Sequence, residues 1–353
     1  MTNRRKFIQQ SGSLAMAGIT SKFAFNILPS RPKLSEEIIG HGDFRYRVYK
    51  EWGNLDPHKY PINDCHEMVR DKKGRLIMCT NHKANNIIIY DKSGKILNHW
   101  TLDYSTHGLS IHNEGGEEFL YLTDPNAGKV AKTTLDGKVI MKINHPKEIG
   151  EYEATQSFRP TETAIGPNGD IYVADGYGSQ FILQYNSKGE FIRKFGGDSF
   201  LQINKFKQAH GVTLDTRDPK NPTLLCSARI KNTIKRFSLD GEFLEDYYLP
   251  GAFISRVVVD DDNVYSGVCF GMTEDNFNMQ RNLGFVTILD KNNKVISNPG
   301  GTKPKYKNGN LRLMLQDRPI FKHCHDVCID EDKNLYVCQW QADKTYPVKL
   351  ARV

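Results

Sequence analysis

Beyond its first few dozen residues the chain has no continuous apolar run approaching the ~20 residues that a membrane span needs. It has no Lys/Arg-rich run interleaved with aromatics, the usual footprint of a protein that tracks a phosphate backbone, so no nucleic-acid partner is expected. It has no Cys-x-x-Cys pair, which removes the usual zinc-ribbon spacing. Its seven cysteines are an odd number, so at least one is unpaired in a monomer, and most read as small buried apolar residues. Nor is one sign of charge concentrated: the net charge is +7 over 353 residues, and Arg4, Arg5, Lys6 and Lys22 supply part of it. What is present is ordinary for a soluble globular protein, with 39% hydrophobic and 25% charged residues, in a length that suits one large repeat domain or two ordinary ones.

The segment from Met1 to Leu28 differs from the rest. Arg4-Arg5-Lys6-Phe7-Ile8 precedes a short, weakly apolar stretch, Leu14 to Ile19, and resembles a twin-arginine export signal. Residues 1–30 are therefore expected to be a signal segment and residues 31–353 the folded domain, in the periplasm or secreted. No Cys precedes Cys65, which argues against a lipoprotein anchor. Whether the leader is cut at Ala15-Met16-Ala17 or kept as an anchor stays open. In that oxidising setting a Cys65–Cys324 disulfide also stays open.

The remainder is a repeat. A short apolar strand, a turn of Asp, Asn, Gly or Lys, a second strand, a polar loop and a third strand ending in an Asp-x-x-Gly-like turn recur along the chain. The clearest copy runs from Pro160-Thr161-Glu162 through Gly166-Pro167-Asn168-Gly169-Asp170, Ile171 to Asp175 and Phe181 to Tyr185, to Asn186-Ser187-Lys188-Gly189. Such turn residues tolerate positive φ or bond their own backbone, and Ile, Val, Tyr and Phe suit strands. Six copies open at His66, His107, Thr161, His210, Ser255 and His325. Units of roughly 40–50 residues repeated this way predict an all-β, six-bladed β-propeller. The last copy ends on a third strand, so an N-terminal strand, Phe44 to Trp52, is expected to close the ring as its outer strand. Gly271 to Arg318 reads as a long loop.

First strands line a propeller's channel, so the six opening residues form a ring. His107, His210 and His325 come from alternate blades, about 120° apart in a six-fold ring. Three neutral imidazoles converging with one position open make a catalytic zinc geometry; the bland alternative is water-bonded channel histidines. His66 is a fourth ligand, a base behind the ligands, or a channel residue. Glu67, Glu162, Arg256 and Asp326 stand beside the ring, where acids can orient an imidazole or hold a second cation.

From about Asp64 onward, the repeats resemble NHL repeats. The His ring resembles that of the peptidyl-α-hydroxyglycine α-amidating lyases. Four segments carry the likeness: His107 to Ile111, Pro160 to Gly178, His210-Gly211-Val212 with Ser227-Ala228-Arg229, and His325-Asp326-Val327. Asp175-Gly176-Tyr177 is the most specific. The resemblance implies zinc on His107, His210 and His325, Tyr177 as active-site base, and Arg229 helping to hold substrate. It also implies a structural calcium on the Met68 and Leu109 carbonyls and the Asp326 carboxylate. Two departures put the substrate in question: Cys79 to Lys83 lacks the family's arginine, and Ala228 stands for its aspartate.

The implied reaction is C–N cleavage of an α-hydroxyglycine-type carbinolamide, or of another small hydroxylated or peptide-like substrate, by a monomer. Two alternatives remain. One is another metal-dependent propeller lyase or hydrolase; lactonase-type propellers, however, hold their metal with Glu, Asn and Asp. The other is a non-catalytic NHL binding or scaffold propeller.

Overall fold

The computed structural model describes residues 37–353. The leader, with its paired arginines, lies outside the described residues. No described helix is long and apolar enough to cross a membrane.

The chain forms a six-bladed β-propeller. Five blades are four-stranded antiparallel sheets in simple sequence order, with inner strands Cys65–Arg70, Leu109–Glu114, Glu162–Ile165, Ala209–Asp215 and Phe253–Asp260. Blade six starts at Cys324–Ile329, continues through Leu335–Gln339 and Val348–Arg352, and is completed by the N-terminal strand Phe44–Tyr49. Val48 pairs with Leu350 and Tyr46 with Arg352, the closure expected from the sequence. A further strand, Ile38–His41, extends this sheet to five.

The turns between strands share one chemistry. Oδ1 of Asp91 accepts from the Ser93 and Lys95 amides, and Oδ1 of Asn186 accepts from those of Lys188 and Glu190. The residue before each hairpin's return strand takes positive φ: Gly94 at 89° and Gly189 at 81°. Glycine adopts this conformation without a Cβ penalty.

Apolar residues on each sheet face meet those of the next blade, and the buried clusters follow the blade interfaces. Ile77, Ile87, Leu109 and Leu122 join blades one and two. Val286, Ile288, Val337 and Leu350 join blades five and six. At the seam between blades six and one, Trp52 packs on Tyr90 and Tyr336, and its indole donates to the Lys92 carbonyl at 2.9 Å.

The stretch Gly271 to Arg318 is not one loop. It contains blade five's outer strands, Phe285–Leu289 and Val295–Ser297, and a small hairpin of Tyr306–Lys307 with Asn310–Leu311. Fully buried Phe285, Val286, Ile288 and Leu289 explain why this segment is held as a strand. The cysteines are buried free thiols, and Cys65 and Cys324 are not bonded to each other.

Candidate active site

His107 lies two residues before the first strand of blade two, and first strands carry His66, His210 and His325 to the channel. There, ring centroids lie 4.8 Å apart for His66–His107 and His66–His325, 4.9 Å for His107–His210 and 5.0 Å for His210–His325. All four are at most 4% exposed. Nδ1 of His107 lies 2.9 Å from the Thr161 carbonyl, and Nδ1 of His325 lies 2.9 Å from the His66 carbonyl. A carbonyl only accepts, so in both rings Nδ1 carries the hydrogen and Nε2 keeps its lone pair. Burial, then the nearby Arg229 charge, drives His66 down to about 3. Burial likewise holds His107, His210 and His325 well below the usual histidine range. The imidazoles are thus neutral, the form that binds metal.

Several of these nitrogens have no protein partner: His325 Nε2, His66 Nδ1 and His210 Nδ1 are buried and unbonded. Ligand atoms of His66, His107 and His325 all lie within 4.8 Å of one another. Buried, unpartnered imidazole nitrogens of this kind, with the lone pair on His325 Nε2 among them, fit a metal better than an empty polar channel. This close set thus contains His66 with two of the three histidines expected from alternate blades, and His210, though its ring neighbours His107 and His325, is not in it.

Tyr177 joins them. Its hydroxyl lies 3.1 Å from His107 Nε2 and 3.0 Å from His210 Nε2. The loop Asp175-Gly176-Tyr177-Gly178 aims it there. Asp175 accepts from the Arg159 and Ser179 amides and the Tyr152 hydroxyl, at 2.6, 2.6 and 2.8 Å. A Cβ at Gly178 would sit 2.0 Å from Asp175 Oδ1, and one at Gly176 would sit 2.3 Å from the Ala209 carbonyl. Only glycine fits either place. Burial raises the Tyr177 pKa, and Arg229 opposes that shift without overcoming it.

Arg229 opens a short 3-10 turn after blade four's second strand. Its guanidinium donates to the Ile254 carbonyl at 3.0 Å and to the Ser255 hydroxyl at 2.7 Å. The loops after second strands form the rim of a cavity of about 390 Å³, with Asn81, Asn126, Tyr177, Arg229, Phe270 and Trp340 on its wall. Arg159 also lines it, bonded to the Pro125 carbonyl at 3.1 Å and with its guanidinium 5.9 Å from the Tyr177 ring centre. Among the described residues no carboxylate lines this cavity. A second cavity, about 410 Å³, opens at the other end of the channel, but it lacks the histidines and Tyr177 and is walled mainly by Val, Ile, Leu, Ser and Thr.

The acids follow the ring positions directly: Glu67 after His66, Glu162 after Thr161 and Asp326 after His325. Glu67 and Glu162 are fully buried, and burial, then the neighbouring Glu162 charge, pushes the Glu67 carboxyl well above the usual range. The Met68 and Leu109 carbonyls and Asp326, expected around calcium, all accept instead from Arg256. With a guanidinium in that place, the residues do not fit calcium.

No family model matches the chain. Among curated proteins, it is 27% identical over 275 residues to "Peptidyl-alpha-hydroxyglycine alpha-amidating lyase 1" of Drosophila melanogaster, covering 70% of this chain and 45% of that protein. It is 32% identical over 132 residues to "Probable peptidyl-alpha-hydroxyglycine alpha-amidating lyase pgal-1" of Caenorhabditis elegans, covering 36% and 37%. By sequence, the chain resembles the amidating lyases. It spans less than half the length of these two relatives. Among solved structures, a streptogramin B lyase aligns with TM-score 0.55 at 17% identity over 84% of this chain and 95% of that one. A Xanthomonas campestris gluconolactonase aligns at 0.58 with 10% identity over 89% and 94%. At such identities the likeness is one of fold.

Sequence reasoning missed Arg159, Phe270 and Trp340 as cavity walls. Arg159 directly precedes the clearest repeat copy, but only the loop's path turns its side chain inward. Phe270 ends blade five's second strand and Trp340 follows blade six's, near the repeat position that Tyr177 and Arg229 take in their blades.

Proposed function

We propose that this propeller is a zinc-dependent lyase that cleaves the C–N bond of a carbinolamide bearing a carboxylate, of the α-hydroxyglycine type. The observation that carries the reading is the Tyr177 hydroxyl held between two imidazole Nε2 atoms on the wall of a cavity with two arginines and, among the described residues, no carboxylate. Such a cavity is positive before any metal arrives, so it favours an anionic substrate. His107, His210 and His325 would hold the ion, with His66 alongside. A bound zinc would supply Lewis acidity that lowers the pKa of the substrate hydroxyl. Tyr177 takes the hydroxyl proton, the C–O unit becomes a carbonyl, and the C–N electron pair leaves with the nitrogen. That nitrogen is then protonated, giving an amide and glyoxylate with no redox partner. Arg229 and Arg159 stand where they can hold the carboxylate through charge-assisted hydrogen bonds. Arg159 thus offers a guanidinium that the blade-one loop lacks. Among the described residues, the acidic ligand set expected of a lactonase-type propeller is not on this cavity's wall.

The test is a glyoxylate-release assay on α-hydroxyglycine derivatives, run beside elemental analysis of protein purified without chelator. The expected outcome is one zinc per chain and turnover that chelation abolishes. Zinc-loaded protein inactive on every carboxylated carbinolamide would overturn the lyase reading, and metal-free active protein would overturn the zinc.

A further inference from the structure

Arg256 lies at the centre of the molecule and is 7% exposed. Its Nε donates to Asp326 Oδ1 at 2.8 Å, and Nη2 donates to Asp326 Oδ2 at 2.8 Å and to the Met68 carbonyl at 3.2 Å. Nη1 donates to the Leu109 carbonyl at 2.8 Å and stands 3.4 Å from Glu67 Oε2 and 3.5 Å from Glu162 Oε2. Six oxygens from blades one, two, three and six thus surround one guanidinium from blade five. Blade four takes part by getting out of the way: a Cβ at Gly211 would sit 2.6 Å from the Arg256 Cα and Cβ.

Three carboxylates and two carbonyls converging on one point make a donor set for a hard divalent cation, which takes six to eight oxygens. We propose that Arg256 is a built-in cation that replaces such an ion, so that wild-type protein binds no calcium in the channel, while removing the side chain creates a calcium site. Charge explains why something must be there. Carboxylates buried without a counter-charge are strongly destabilising, and removing one partner of a buried ion pair leaves the other uncompensated. A guanidinium meets this need without a dissociation equilibrium, and its planar fork matches the Asp326 carboxylate in a bidentate pair. Glu67, Met68, Leu109 and Asp326 also sit one or two residues along the chain from His66, His107 and His325, and Glu162 adjoins Thr161. Arg256 is therefore a positioning residue for the histidine cluster, whichever metal that cluster holds.

The experiment reads calcium and stability, not turnover, so its failure is distinct from failure of the lyase reading. Full-chain wild type and Arg256→Ala are dialysed into calcium-free buffer containing zinc. Calcium and zinc are then counted by elemental analysis, and thermal unfolding is followed with and without millimolar calcium chloride. Wild type should hold no calcium, and its unfolding midpoint should not move when calcium is added. Arg256→Ala should unfold roughly 5–15 °C lower, the scale of a broken buried ion pair in a protein of this size, and should recover at least roughly half of that with calcium. Arg256→Ala/Asp326→Asn should lose the calcium response. Stoichiometric calcium in wild type overturns the proposal. So does an Arg256→Ala protein that calcium does not stabilise, or that fails to fold with and without calcium alike.

Discussion

Tyr177 is a phenol, protonated near neutral pH in any case, in a place where burial makes it a still weaker acid. Its pKa is raised by desolvation, and the Arg229 charge only partly offsets this. To act as a base it needs a second cation within a few ångströms, and its two Nε2 neighbours are the atoms that would hold one. Tyr177→Phe keeps the ring in its loop and removes only the hydroxyl. Zinc content and unfolding midpoint should stay near wild type while kcat falls by roughly 10²-fold or more, the usual scale for a positioned acid–base group. Steady-state kinetics beside elemental analysis checks this; a variant that keeps most of its kcat removes Tyr177 from the chemistry. Tyr177 was legible only through the family resemblance that Asp175-Gly176-Tyr177 carries; its residue type and repeat position alone do not single it out. The role of Arg256 was not legible. Its partners come from four other blades, and no spacing along the chain records that convergence.

At the scale of strands and turns, the repeat was readable wherever a turn residue announced it. Asp91 and Asn186 bond their own hairpins, and each is followed three residues on by a glycine. At one turn of blade five that glycine is replaced, and there the strand was missed. Asp290 makes the same bonds to the Asn292 and Lys294 amides, but Asn293 takes the positive φ, at 58°. Blade five's third strand was therefore read as loop. The closing strand was legible for a simpler reason: an alternating segment without a blade met a blade without its outer strand. Its seam depends on Trp52, which is 8% exposed and packs between Tyr90 and Tyr336. Trp52→Ala should cost about 3–5 kcal/mol, the range for deleting a large buried aromatic. Equilibrium urea unfolding measures it, and a loss under about 1 kcal/mol would mean the ring is not held at that seam.

The whole molecule places four neutral imidazoles on the axis of a ring whose stability comes from stacked blades, so the site's protonation and the fold's stability are linked. The folded pKa of His66 is about 3, against about 6.5 for an unfolded histidine. Above pH 6.5 both states are neutral and the full stability is present. As pH falls from 6.5 towards 3, the unfolded chain takes up a proton that the folded chain refuses, and stability is lost. The slope is at most about 1.4 kcal/mol per pH unit for each such histidine. Raised carboxyls work in the opposite sense: Glu67, Glu162 and Asp175, the last pushed up to about 6, favour the folded state on acidification. The net curve mixes both signs, so the informative quantity is a difference. In chelator-treated protein, unfolding free energy measured from pH 7 to pH 4 should fall less steeply for His66→Leu than for wild type. The gap should approach about 1.4 kcal/mol per pH unit below pH 6. Parallel curves would mean that His66 accepts a proton without unfolding, and that the channel is wetter and more open to charge than its packing implies.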